Sequence, residues 1–169
     1  MIDEINKIME SIDYGWVDKN HQTHSNVDDS FSDNYILQSP DDLLKSKTGN
    51  CWDQVELERK LFEKEHIKFD TYSIIYYGKK ELPNHTFIIY DDNGSYFWYE
   101  HSWIKYQGLH KFNSVIDALK DIKEKFINTE IKGDFNPYNL CIYKYKKPRY
   151  NISSFEFYKH IESGENIIV

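Results

Sequence analysis

Ile2, Ile5, Ile8, Met9 and Ile12 recur at helical spacing with polar residues between them, which predicts a short amphipathic helix over residues 2–12. Asp13-Tyr14-Gly15-Trp16-Val17-Asp18 breaks that period. Residues 18–34, rich in Asp, Asn, Ser and His, read as a polar surface loop. After the apolar run Tyr35-Ile36-Leu37, Ser39-Pro40-Asp41-Asp42-Leu43-Leu44 opens a helix, with a serine cap, proline at the first helical position and acids in the first turn. It ends before Gly49. A longer helix runs from Cys51 to about Glu65 and offers Trp52, Val55, Leu61 and Phe62 to a core. Its charges, Glu56, Glu58, Arg59, Lys60, Glu63, Lys64 and Glu65, read as a solvated face.

The pattern then turns β-branched and aromatic. Thr71–Tyr77, His85–Tyr90 and Tyr96–Trp103 are predicted strands, the last two joined through Asp91-Asp92-Asn93-Gly94-Ser95. Asn-Gly is a strong hairpin signal, because both central residues of a type I′ turn need positive φ. Asn113 or Ser114 caps a helix carrying Val115, Ile116, Leu119, Ile122 and Phe126. A strand over Asn139–Tyr145 follows, then a short helix capped by Ser153 or Ser154 with Phe155, Tyr158 and Ile161. Helices followed by adjacent strands predict an α+β fold, with N-terminal helices packed on an antiparallel sheet. The 169 residues fit one domain, 1–169, with a sizeable core.

Composition changes this picture little. Aromatics make up 17 % of the chain, with 14 Tyr, and Tyr can cover a core while its hydroxyl reaches water. The net charge of −7 and the lack of a Lys/Arg block argue against nucleic-acid binding. Lys144-Tyr145-Lys146-Lys147-Pro148-Arg149 reads as a solvated strand end. No apolar run approaches a membrane span, and Met1-Ile2-Asp3-Glu4 lacks the basic start and apolar run of a leader, so a cytoplasmic location without membrane contact is expected. Cys51 and Cys141 imply no disulfide framework, and Cys141 reads as a small buried hydrophobe. His21-x-x-His24 lacks a second pair of soft ligands at matching spacing. No metal or other cofactor is expected.

The chemistry concentrates at Lys47-Thr48-Gly49-Asn50-Cys51-Trp52-Asp53. Asn50 (or Thr48) is a good N-cap, and Asp53 then falls where a carboxylate answers it. Cys51 lies at the positive end of the helix dipole, where unsatisfied N–H groups favour the thiolate. With Asn93-Gly94 as a type I′ turn, Ile89 faces Trp98 and Phe87 faces Glu100, so His85 and Glu100 share one face as diagonal neighbours. His101 points to the other face; a three-residue loop would reverse that parity. Asp91, Asp92 and His101 are the other candidate neighbours of His85. Cys51 as nucleophile, His85 as base and Glu100 as its orienting acid make a plausible acyl-transfer set.

Those residues resemble the transglutaminase-like superfamily. The match runs over residues 39–103 and rests on Ser39-Pro40-Asp41-Asp42-Leu43-Leu44, Gly49-Asn50-Cys51-Trp52-Asp53, His85 opening a strand and an acid after the next strand. The resemblance implies a papain-like fold, with Cys51 as nucleophile, His85 as general base and Glu100 in the place usually held by Asp. It implies attack on an amide, peptide or protein carbonyl through a thioester, as in cysteine peptidases, amidases and transferases. Some members place an upstream tryptophan in the oxyanion hole, which points to Trp16, with Gln38 and Gln54 as other donors beside the Cys51 N–H. Two other readings are a catalytically inactive binding module of the same fold and an arylamine-acetyltransferase-like enzyme.

Overall fold

The computed structural model describes residues 1–169. In chain order it contains α1 (Ile2–Met9), β1 (Asp13–Tyr14), β2 (Trp16–Val17), β3 (Thr23–His24), α2 (Phe31–Asn34), α3 (Pro40–Ser46), β4 (Thr48–Gly49) and α4 (Cys51–Lys64). Then come β5 (Lys68–Tyr76), β6 (Asn84–Asp92), β7 (Ser95–Glu100), β8 (Gly108–Phe112), α5 (Val115–Glu130), β9 (Leu140–Tyr145), α6 (Ser154–Glu162) and β10 (Glu165–Ile167). The fold is α+β. Its main sheet has six strands in the order β10-β9-β5-β6-β7-β8, every neighbouring pair antiparallel. No helix is long and apolar enough to cross a membrane.

Alternation along the strands divides the core in two. Tyr72, Ile74, Phe87, Ile89 and Trp98 pack with Ala118, Leu119, Ile122 and Phe126 of α5. On the other face, Ile75, Ile88, Tyr90, Tyr99 and Tyr145 pack with α1, α4 and Phe157 and Ile161 of α6. Helix α4 runs along β6: the Trp52 indole N–H donates to Asn84 Oδ1 at 2.8 Å, and Phe62 meets Tyr90 with centroids 5.4 Å apart. The Cys51 end of α4 therefore coincides with the start of β6.

The β6–β7 turn is as the sequence requires. Asn93 and Gly94 have φ of 53° and 85°, Asp92 pairs with Ser95, and Ile89 pairs with Trp98. Ser39 caps α3 by accepting from the Asp42 N–H.

Several expectations are corrected. The segment 18–34 is not a featureless loop: Trp16–Val17 pairs with Thr23–His24, and α2 brings Phe31 against Trp16 with centroids 5.2 Å apart. The charges of α4 do not form one solvated face, because Glu56, Glu58 and Arg59 are buried. Arg59 answers Glu56 at 2.8 Å and donates to Thr71 Oγ1 at 2.7 Å, so that pair is compensated. Glu58 has no such partner: its Oε2 makes no hydrogen bond, and burial raises its carboxyl well above the usual value. Cys141 is half-exposed. The third predicted strand stops at Glu100, since Glu100 Oε1 accepts from the Trp103 N–H at 2.8 Å and closes a turn there. Strands β8 and β10, both sheet edges, have no counterpart in the expected elements.

Candidate active site

The start of α4 is fixed by reciprocal capping. Asn50 Oδ1 accepts from the N–H groups of Trp52 (3.1 Å) and Asp53 (3.2 Å), and Asp53 Oδ2 accepts from the Asn50 N–H at 3.1 Å. Such a cap is worth about 1 kcal/mol. Asp53 is fully buried and its other oxygen accepts from Tyr35 Oη and from the Gln38 N–H, both at 2.9 Å. Burial raises Asp53 to about 7 against the opposing pull of these hydrogen bonds. The strand-like run 35–38 is thereby locked to the turn that presents Cys51.

His85 and Glu100 stand side by side, both buried, with His85 Nε2 2.7 Å from Glu100 Oε2. Glu100 accepts three further hydrogen bonds, from the Trp98 indole N–H (3.2 Å), the Ser102 hydroxyl (3.2 Å) and the Trp103 N–H. Burial would raise this carboxyl, but the His85 charge and these donors hold it below the usual glutamate value. Burial also opposes the imidazolium. The Glu100 carboxylate, with the hydrogen bonding and charge of Cys51, outweighs it and lifts His85 to about 10. Since Nε2 is engaged by Glu100, Nδ1 is the nitrogen left for the thiol. Trp103 covers the ring with centroids 4.9 Å apart.

Cys51 and His85 open into one cleft of about 350 Å³, lined also by Tyr14, Asn84, Trp103 and Lys105. The cysteine reaches it from the end of α4, while His85 belongs by alternation to the face covered by α5. The two meet at the end of the sheet. Known protein-family models give no match to this chain, and no curated protein matches it.

The structure brings Cys51, His85 and Glu100 together and leaves the other candidates elsewhere. His101 Nδ1–H donates to Gln54 Oε1 (2.7 Å), on the opposite side of β7, as the type I′ register requires. Asp91 meets Lys68 and the Gly94 N–H, and Asp92 meets Asn93. Trp16 is corrected as an oxyanion donor: it is fully buried, its indole N–H is donated to Asn26 O at 2.8 Å, and its ring stacks on His24 at 4.1 Å. That commitment holds the β2–β3 hairpin. Gln38 and Gln54 likewise donate to backbone carbonyls, at Thr48 and Gly49. His21 is exposed, and His24 is paired with Asp18 at 2.7 Å, so the two form a hairpin clasp.

Tyr14 is the polar group that the sequence reading missed. Its partner in the β1–β4 pair is Gly49, two residues before the cysteine, and its hydroxyl is committed to no other side chain or carbonyl. Loss of water around the hydroxyl, and then the charge of Cys51, push its pKa above the ordinary tyrosine value, so it stays a protonated donor. A parallel pairing across 35 residues leaves no local pattern. The only available signal was that Tyr14 and Trp16 are neighbours in an aromatic-bearing stretch.

Proposed function

We propose that this chain is a thiol-dependent acyl-transfer enzyme of the transglutaminase-like type, with a papain-like arrangement of Cys51, His85 and Glu100. The observation that supports it most is the 2.7 Å His85–Glu100 pair opening, with Cys51, into one cleft. A helix beginning at the cysteine and packed on an antiparallel sheet bearing histidine and acid is the arrangement that reading implies.

In this reading Cys51 passes its proton to His85 Nδ1, and the thiolate attacks an amide or peptide carbonyl carbon. The oxyanion takes hydrogen bonds from the Cys51 N–H, which has no carbonyl four residues back inside its helix, and from Tyr14 Oη. Collapse breaks the C–N bond; His85 gives its proton to the leaving amine, and a thioester remains. Water then attacks the thioester with His85 taking its proton, which releases the acid and restores the thiol; an amine in place of water gives transfer. Glu100 keeps Nε2–H oriented and balances the imidazolium.

Mass spectrometry of the protein after brief exposure to a p-nitrophenyl ester tests this. The acyl mass is expected on Cys51, followed by its loss in minutes, and Cys51→Ala takes up none. The rival reading, a binding module without turnover, is favoured by one observation, the 7 % exposure of Cys51. It predicts no acyl mass on Cys51.

A further inference from the structure

Cys51 comes from the end of α4, whereas His85 and Glu100 come from β6 and β7. Apolar packing holds the helix on the sheet, but it is non-directional and does not by itself fix a sulfur–nitrogen distance. A thiol hands its proton to an imidazole only within hydrogen-bond reach, so small displacements of one layer over the other count. Two side-chain amides join the layers at this end. Asn84, immediately before His85, lines the cleft, and its Oδ1 accepts from the indole N–H of Trp52, immediately after Cys51, at 2.8 Å. Its Nδ2 donates to Tyr158 Oη and to Leu82 O, both at 2.8 Å, so three partners fix the orientation of the amide. The Tyr158 ring in turn meets Trp52 edge-on, with centroids 5.0 Å apart.

Gln54, which is buried, does for Glu100 what Asn84 does for His85. Its Oε1 accepts from the Nδ1–H of His101, the residue after Glu100, at 2.7 Å. Its Nε2 donates to the carbonyl of Gly49, two residues before Cys51, at 2.9 Å. Neither amide is hydrogen-bonded to Cys51, His85 or Glu100; each binds their chain neighbours. Trp52 and Gln54 are two positions apart on a helix, which sets them about 200° apart around its axis. A rotation of α4 that swings Cys51 away from His85 is therefore opposed by one bond in one sense and by the other bond in the opposite sense.

We propose that Asn84 and Gln54 are positioning residues: two amides, one on either side of α4, that set the separation of the Cys51 sulfur from the His85 ring. The inference rests on the acyl-transfer reading of Cys51 and His85, and adds to it the side chains that hold that pair at working distance.

The test is the pH dependence of Cys51 alkylation by iodoacetamide, followed by mass, in wild type, Asn84→Leu and Gln54→Met, each well below its own thermal midpoint. Leu and Met match the side chains they replace in size and carry no amide. Two further variants serve where either of these fails to fold. Trp52→Phe keeps an aromatic ring and cuts the first bond from its other end, and Gln54→Asn keeps the amide but is too short to span from Gly49 O to His101. None of the four changes a charge, so a moved alkylation midpoint reports the distance from Cys51 to an unchanged His85. Loss of stability alone leaves the midpoint of the folded chain where it was. Wild type is expected to react with a midpoint below the free-thiol value of about 8.5. Each variant is expected to raise that midpoint by about one pH unit or more. The double variant Asn84→Leu/Trp52→Phe is expected to move it no further than Asn84→Leu, because both cut the same bond. A low wild-type midpoint that stays in place in the Asn84 and Trp52 variants, or in the Gln54 variants, overturns this inference and leaves the acyl-transfer reading standing. A wild-type midpoint at the free-thiol value, unchanged by His85→Ala, overturns that reading and this inference with it.

Discussion

A buried imidazole keeps its proton only where something nearby compensates for the lost water. At His85 that compensation comes from Glu100, itself held by four donors, and from the facing cysteine. Glutamate serves here in a place where the resemblance has aspartate, because its oxygens span from the ring to the Trp103 N–H that closes the following turn. In the proposed mechanism the oxyanion side is thinner, with one backbone N–H and one phenol. If Tyr14 Oη is the second donor, Tyr14→Phe removes a hydrogen bond made in the transition state, and kcat for ester or amide turnover falls about 10²–10³-fold. Alkylation of Cys51 by iodoacetamide, which forms no oxyanion, stays within twofold of wild type. Equal loss in both assays would mean that Tyr14 supports the structure only.

At the level of elements, the site depends on the approach of β4 to α4. A Cβ on Gly49 would lie 2.6 Å from Leu43 Cδ1 and 2.8 Å from Asp53 Cβ. Gly49→Ala is therefore expected to lower unfolding free energy in urea by about 1–3 kcal/mol, the usual cost of overpacking. It should also slow Cys51 acylation, since the strain falls on the capping turn. Much of this region was legible in the sequence. Ser39-Pro40, Asn50 with Asp53, and Asn93-Gly94 are local devices whose partners lie within a few residues, and all three appear as read. The Asn-Gly turn carried the furthest, because it set which of Glu100 and His101 meets His85. What was not legible depends on distant partners. The burial of Glu56, Glu58 and Arg59 requires β5, β9 and Tyr150 to close over α4. The commitment of Trp16 to Asn26 requires a hairpin with almost no hydrophobic alternation, and β8 and β10 are edges whose residues alternate weakly.

For the whole molecule, stability is tied to pH through its buried acids and His85. His85, raised to about 10 from 6.5, contributes fully below 6.5 and loses that contribution as pH rises through about 10. Asp53, raised by burial to about 7 from 3.8, acts in the same sense over its own interval, as do the buried Glu56 and Glu58. Glu100, held below its ordinary 4.5, contributes above that value and loses the contribution as pH falls through its lowered one. His101, lowered by burial, opposes stability on acidification through 6.5, a single group against four. The thermal midpoint is thus expected to be highest at about pH 5 and to fall steadily toward pH 10. Calorimetry at constant ionic strength that shows a midpoint rising from pH 5 to 9 would contradict this assignment of buried charge. The proposed mechanism turns on one thiol handing its proton to one imidazole in a common cleft. The rate of Cys51 alkylation by iodoacetamide at pH 6, in wild type and in His85→Ala, tests it most directly. Wild type is expected to react at least tenfold faster than His85→Ala; equal rates would rule out a Cys51–His85 pair.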